Sequence, residues 1–384
     1  MPRYNPILDQ LPTYPFVELD RRKAALLAEG RAVFDFAKGD PVEPTPDFIR
    51  EAMLAAVEPS CPYPSVMGRN DVRDAISAYL LRRFGVQVDP RTGILPTSGS
   101  KEAVFHAPLL VIDPQADDKV VLFPDPGYPA YERGALFAGG EAHPVPLDGD
   151  HVFRPWLLPP ALLERCRLLW INSPHNPSGA VTHRDDLART VELCHKYDIL
   201  LMSDETYVDL YAEGAEPPHS ALEISQQGVV ALHSLSKRSG MTGYRAGFLA
   251  GDPAVIARTK ELRANPGLAP QDFVNAAAAV AWADDAHVAA RRRLFDEKKR
   301  VLVHFFREQG WTFIGEEATI YLWLRVPGGG DDRAYAARLL EAGIVVSPGA
   351  MLGLTPAGAG WLRLAMVPTV AECAAAVAAW RALL

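Results

Sequence analysis

Between residues 119 and 251 the sequence returns five times to a short apolar run. These runs are 119–123, 168–172, 199–203, 229–234 and 246–251. Polar and apolar residues do not alternate within them, as they would in a strand with one wet face. Each therefore reads as a strand buried on both faces. Such a sheet needs helices to cover it, and helix-like stretches occupy 100–112, 184–197 and 253–264. Strand, helix, strand in succession joins neighbours in parallel, because a parallel pair requires a crossover. The expected fold is α/β: a three-layer α/β/α large domain around a mostly parallel sheet. Its active site should lie beyond the carboxyl ends of the strands.

At 384 residues the chain is too long for one small domain. Residues 271–309 are nearly unbroken helix former and read as a helix linking two units. After it come an apolar run at 320–326, the loop Pro327-Gly-Gly-Gly330, a helix over 333–342, runs at 344–347 and 361–366, and a closing helix from 370. That set reads as a smaller α+β domain. The first forty residues hold one helix, 20–29, behind a proline-punctuated arm that would lie on the rest of the fold or on a partner subunit. The expected division is 1–45, the arm and part of the small domain; 46–275, the large domain; and 276–384, the small C-terminal domain.

Composition removes several function classes. With 39 basic against 47 acidic side chains, the net charge of −8 repels phosphate backbones, so nucleic-acid binding is not expected. The four cysteines form no CxxC pair and the ten histidines no HExxH, so neither a metal site nor a disulfide scaffold is expected. The longest apolar run, 276–283, is too short to cross a bilayer, and the N-terminus has no secretory h-region. A cytoplasmic protein is the expectation.

The segment richest in chemistry is Ser234-Leu-Ser-Lys-Arg-Ser-Gly-Met-Thr-Gly-Tyr-Arg245. It starts where an apolar strand ends, which carries Lys237 to the carboxyl edge of the sheet. A lysine there suits a Schiff base with an aldehyde cofactor, since partial burial and the positive Arg245 would favour its neutral, attacking form. Ser234, Ser236 and Arg245 would converge on one phosphate. A lone Ser-x-Ser-Lys reads more readily as a solvated surface loop; the arginine eight residues on, the glycines and the strand in front reverse that preference. Thr97-Ser-Gly-Ser-Lys-Glu102 opens a helix, so N–H groups of Gly99, Ser100 and Lys101 would face an anion; a plain N-cap is the alternative. The signatures of ATP and NAD sites are missing.

Three more motifs follow strands. In Ser203-Asp-Glu-Thr-Tyr207, Asp204 can pair with a protonated ring nitrogen and Tyr207 can bond a phenolic oxygen. Ser173-Pro-His-Asn-Pro-Ser-Gly179 places the Asn176 amide beside the same oxygen, or is simply a turn. Pro124-Asp-Pro-Gly-Tyr-Pro-Ala-Tyr131 offers Tyr128 as a ring to stack on the cofactor.

Together, in this order, these motifs resemble the pyridoxal-phosphate aminotransferases of fold type I, the aspartate-aminotransferase-like class, from about residue 34 to the C-terminus. Trp361-Leu-Arg-Leu364 extends the match. The resemblance implies pyridoxal 5'-phosphate bound covalently by Lys237, with Asp204 on the pyridine nitrogen, Asn176 and Tyr207 on the ring hydroxyl, and Tyr128 stacked. It implies Ser100, Ser234, Ser236 and Arg245 on the phosphate, joined by Tyr63 from a partner subunit, and hence a homodimer. Gly39 and Arg363 match the residues that bind the substrate α-carboxylate. The substrates would be amino acids and 2-oxo acids, with glutamate as amino donor. Within the class, the phrases at 231–239, 243–252, 284–288 and 320–323 are similar to bacterial N-succinyldiaminopimelate aminotransferases of lysine biosynthesis. Aspartate-, aromatic- and LL-diaminopimelate-type transaminases and a C–S β-lyase share the same cofactor residues. A regulator with an aminotransferase-like domain would need a DNA-binding domain that the arm cannot supply. A long acidic substrate needs a distal cation, for which Arg69, Lys38 and Arg263 are candidates.

Overall fold

The computed structural model describes residues 2–10, 16–147 and 149–384, with backbone alone at 10 and 16–18. Its centre is a seven-stranded sheet in the order Ile94–Thr97, Gly247–Gly251, Val229–Ser234, Leu200–Asp204, Cys166–Asn172, Val120–Asp125, Glu141–Pro146. The last five are mutually parallel. Gly247–Gly251 runs antiparallel to both its neighbours, which is why the sheet is mostly and not wholly parallel.

Side chains alternate across a strand, so an unbroken apolar run feeds two cores at once. Leu169, Ile171 and Leu201 pack with Tyr79, Val191 and Trp282 on one face. Leu168, Trp170 and Met202 pack with Val104, Tyr131 and Ile256 on the other. Glu141–Pro146 was not expected as a strand. It is only half-buried and carries two prolines, which an edge strand tolerates because one side needs no ladder donor.

The smaller unit holds the antiparallel sheet Ser347–Pro348, Trp361–Ala365, Tyr321–Arg325, Phe313–Ile314. Phe305, Phe306 and Trp380 bring the helices Ala286–Glu308 and Val370–Arg381 into its core. Phe34–Asp35 pairs in parallel with Ile344–Val345, so the segment just after the N-terminal helix Phe16–Ala28 joins this unit.

Two expected helices are broken. The run 271–309 divides into Asp272–Ala283 and Ala286–Glu308. Asp284 is extended, and its carboxylate accepts the His287 N–H at 2.9 Å, starting a second helix where propensity alone predicts continuation. The stretch 100–112 is α-helical only over Ser100–His106 and then tightens into a 3-10 turn at Ala107–Leu110, where Pro108 removes a donor. Asp272–Ala283 packs against Asp47–Ala55 and Asn70–Phe84, with Trp282 against Tyr79, so we propose a domain division after Ala283 and not within this helix.

Lys298 ties the parts together. Its ammonium is fully buried, pairs with Glu43 and donates to the Met366 and Val367 carbonyls, which holds the loop after Gly39 against the strand that carries Arg363.

Candidate active site

Asp125, Asn172, Asp204 and Ser234 end four parallel strands at one edge of the sheet. Register brings the rest of the site there. Thr97 lies opposite Gly247, and Gly247 opposite Ser234, so the loops beginning at Ser98 and Leu235 leave the sheet side by side. Ser234 caps the short helix Leu235–Arg238, its Oγ accepting from Ser236 N at 3.1 Å. Gly99 has φ +81°, and a Cβ there would lie 2.4 Å from an Arg245 guanidinium nitrogen. Glycine at 99 is what lets that guanidinium lie against the first turn of Ser100–His106. Arg245 donates to the Thr242 carbonyl at 2.9 Å and has no carboxylate partner among the described residues. A free cation and first-turn N–H groups beside two serines fit a phosphate. Lys101 is exposed and offers its backbone N–H alone to this corner.

Asp204 is buried, and burial raises its carboxyl pKa, partly offset by hydrogen bonds from Thr206 and Tyr131. Thr206 Oγ1 donates to Oδ1 at 2.7 Å and Tyr131 Oη to Oδ2 at 2.8 Å. Among the described residues Asp204 has no cationic partner. A buried carboxylate held by these two hydroxyls and the Thr206 N–H, and lacking a counter-charge, fits a protonated ring nitrogen. Asn172 braces the edge: its amide donates to the Asp204 carbonyl at 2.9 Å, and its Oδ1 accepts from Asn176 N at 2.7 Å.

Lys237 lies in the short helix Leu235–Arg238 that Ser234 caps. Burial holds its ammonium down at about 8, helped by the positive Arg245 and Arg363 and opposed by Asp40. An amine that loses its proton at about 8 captures an aldehyde faster as pH rises towards that value, because the neutral form attacks. Uptake of pyridoxal phosphate by cofactor-free protein is therefore expected to quicken about tenfold per unit below pH 8 and to level off above it. Stopped-flow absorbance checks this; a rate that is flat from pH 6 to about 8 would contradict it.

On the small-domain side Arg363 is buried. It donates to Asn176 Oδ1 at 2.9 Å and to the Ala37 carbonyl at 2.8 Å, while its Nε has no hydrogen-bond partner. It too lacks a carboxylate among the described residues, which leaves a buried guanidinium suited to an incoming anion. Tyr207 is buried with its hydroxyl 2.8 Å from that of Tyr321. Gly39 sits where a Cβ would meet the Tyr321 hydroxyl at 2.4 Å.

Tyr63 points fully into solvent, beside a groove of about 880 Å³ lined by Arg69 and Phe273. Tyr128 lies edge-on to Tyr131, ring centres 5.8 Å apart. Of the proposed distal cations, Arg263 is ruled out: it is buried and spent on Glu102 and on the Val66 and Pro96 carbonyls. Arg69 pairs with Asp71 and Lys38 with Asp20. Sequence reasoning missed Tyr131 and Tyr321, although both lie inside motifs already singled out.

A half-buried lysine with a lowered pKa, and a buried carboxylate and two arginines that lack charged partners among the described residues, would suit an anionic aldehyde cofactor with a basic ring, and an acid substrate. Residues 31–379 match the family model for aminotransferase class I and II. LL-diaminopimelate aminotransferase 2 of Nostoc sp. is 35% identical over 368 residues, covering 94% of this chain and 93% of that protein. An aminotransferase structure from Neisseria meningitidis superposes with a TM-score of 0.92 at 32% identity, over 99% of this chain and all of that one. A probable N-succinyldiaminopimelate aminotransferase from Thermus thermophilus gives a TM-score of 0.88 at 27% identity, over 96% of this chain and all of that one. The chain belongs to the aminotransferase class I and II family and has its fold. It is a pyridoxal-phosphate-dependent transaminase, acting on amino acids and 2-oxo acids. Among the described residues no helix is long and apolar enough to cross a membrane, and no group of His, Cys, Asp and Glu could hold a metal ion.

Proposed function

We propose that this transaminase exchanges the amino group of LL-diaminopimelate with a 2-oxo acid, glutamate and its oxo acid being the second pair. The observation that carries this is the whole-chain likeness: relatives bearing the LL-diaminopimelate name match 94% of the chain at up to 36% identity. The similarity to N-succinyldiaminopimelate enzymes rests on four short phrases and one structural neighbour at 27% identity, and gives way to this reading. Support from the site is the same for both substrates, since each presents an α-amino acid to Arg363.

When bound, pyridoxal phosphate supplies an aldehyde carbon for an amine and a ring that draws electrons from the substrate Cα. Arg245, Ser234, Ser236 and the N–H groups of Gly99, Ser100 and Lys101 would hold its phosphate. Asp204 would keep the ring nitrogen protonated, Tyr207 and Asn176 would hydrogen-bond its phenolic oxygen, and Tyr128 would cover a ring face. Arg363, beside Gly39, would grip the α-carboxylate and aim the Cα–H bond. Lys237, freed as a neutral amine, would move a proton at Cα, a task for which a pKa of about 8 is well matched. Tyr63 is fully exposed, and Leu54 and Val57 of the same region are also exposed, which supports a homodimer in which a second copy would cover them and Tyr63 would reach that copy's phosphate.

Steady-state kinetics test the substrate. With 2-oxoglutarate as acceptor, kcat/KM for LL-diaminopimelate is expected to exceed that for its N-succinyl derivative at least about tenfold. The reverse order would return the function to the succinylated substrate. Release of pyruvate and ammonia from cystathionine without any acceptor would indicate a lyase instead.

A further inference from the structure

Four contacts meet on Tyr321, a residue to which the site as described assigns no task. It is 3% exposed at the head of the strand Tyr321–Arg325. Its hydroxyl lies 2.8 Å from that of Tyr207, the two rings edge to face. The Arg363 guanidinium sits 4.6 Å from the centre of its ring. Gly39 comes so close that any side chain there would strike the same hydroxyl. Two strand positions on, Trp323 lies opposite Arg363 across the antiparallel pair, so the register that sets Tyr321 also sets the arginine.

We infer that Tyr321 is a positioning residue for transamination: its hydroxyl orients Tyr207 toward the cofactor, and its ring supports the guanidinium that takes the substrate carboxylate. This rests on the roles given above to Tyr207 and Arg363. A hydroxyl has a single proton. If Tyr207 donates to the phenolic oxygen, it cannot also donate to Tyr321, so Tyr321 is the donor of the 2.8 Å bond in the loaded protein. Donation into Tyr207 polarises its O–H and strengthens the next bond in the chain. On the other side, an aromatic face under a buried guanidinium offsets part of the cost of keeping that charge out of water before substrate arrives. One side chain thus serves the large-domain group that faces the cofactor and the small-domain group that faces the substrate.

The test is a pH titration of the visible absorbance of the cofactor-loaded protein. A hydrogen bond given to the phenolic oxygen draws negative charge off it and loosens its hold on the proton shared with the Lys237 nitrogen, which lowers the midpoint. Tyr321→Phe should raise that midpoint by about half a pH unit, a threefold change in the acid constant. Tyr207→Phe should raise it further, and adding Tyr321→Phe to that background should change nothing more, because the hydroxyl acts through Tyr207. An unmoved midpoint in Tyr321→Phe, or an equal shift in both backgrounds, overturns the inference. Tyr321→Leu removes the ring as well and should raise KM for glutamate about tenfold over the Phe variant. Equal KM values overturn the part concerning Arg363. Tyr321→Phe keeps the ring and its packing, so the titration decides even where the Leu variant does not fold. Unchanged protein that takes up no cofactor would sink the reading of the site itself, and this inference with it.

Discussion

Replacing Lys237 by alanine is expected to lower kcat at least about a thousandfold and to remove the visible absorbance of the loaded protein. The size follows from the two roles proposed for Lys237, the amine that would bond the cofactor and the base that would move the proton at Cα, which are lost at once. The structure also says why the effect should be confined to chemistry. The Lys237 side chain makes no hydrogen bond or ion pair among the described residues, and alanine suits the short helix Leu235–Arg238. Its neighbour Arg238 carries the structural load: it is buried, paired with Asp209 and Asp285, and stacked over Tyr79 and Trp282. Lys237→Ala should therefore keep its circular dichroism and melting temperature, whereas Arg238→Ala should not. Steady-state transamination by Lys237→Ala at the normal rate would take the lysine out of its assigned role.

What could be read in the sequence follows from which forces are local. The five buried strands were visible because burial on both faces leaves an unbroken apolar run, and the order of their polar ends put Asn176, Asp204 and Lys237 at one edge before any coordinates. Ile94–Thr97 and Glu141–Pro146 were missed, the first because Pro96 interrupts it, the second because an edge strand has half the burial and so half the signal. The break at Asp284 was hidden because a cap is a single hydrogen bond inside a window of good helix formers. Arg263 shows the limit for site residues. Nothing near it in sequence reveals that Glu102, far back along the chain, consumes its charge. Tyr131 and Tyr321 were overlooked for the same reason, since each acquires meaning only through a partner on another strand or helix, Asp204 for one and Tyr207 for the other.

Arg363→Leu separates the two halves of the site. The guanidinium is held by the Ala37 carbonyl at 2.8 Å, Asn176 Oδ1 at 2.9 Å, the Ser347 hydroxyl at 3.5 Å and the ring of Tyr321 beneath it. None of these is an anion, and among the described residues no carboxylate pairs with it, so in the proposed role most of its binding energy would be reserved for the substrate carboxylate. Removing a buried, hydrogen-bonded charge partner is expected to raise KM for amino acids by about two orders of magnitude. Cofactor affinity should change less than about tenfold, because Arg363 would reach the cofactor only through Asn176. Arg363→Lys keeps the charge but cannot donate to Asn176 and Ala37 while also presenting a fork to the carboxylate, so it should recover only part of the loss. Kinetics with glutamate and equilibrium binding of pyridoxal phosphate, measured on the same preparations, check both expectations. An unchanged KM in the Leu variant would mean that the α-carboxylate is held elsewhere. A collapse of cofactor binding would mean instead that the bond from Arg363 to Asn176 builds the cofactor cradle and does not merely border it.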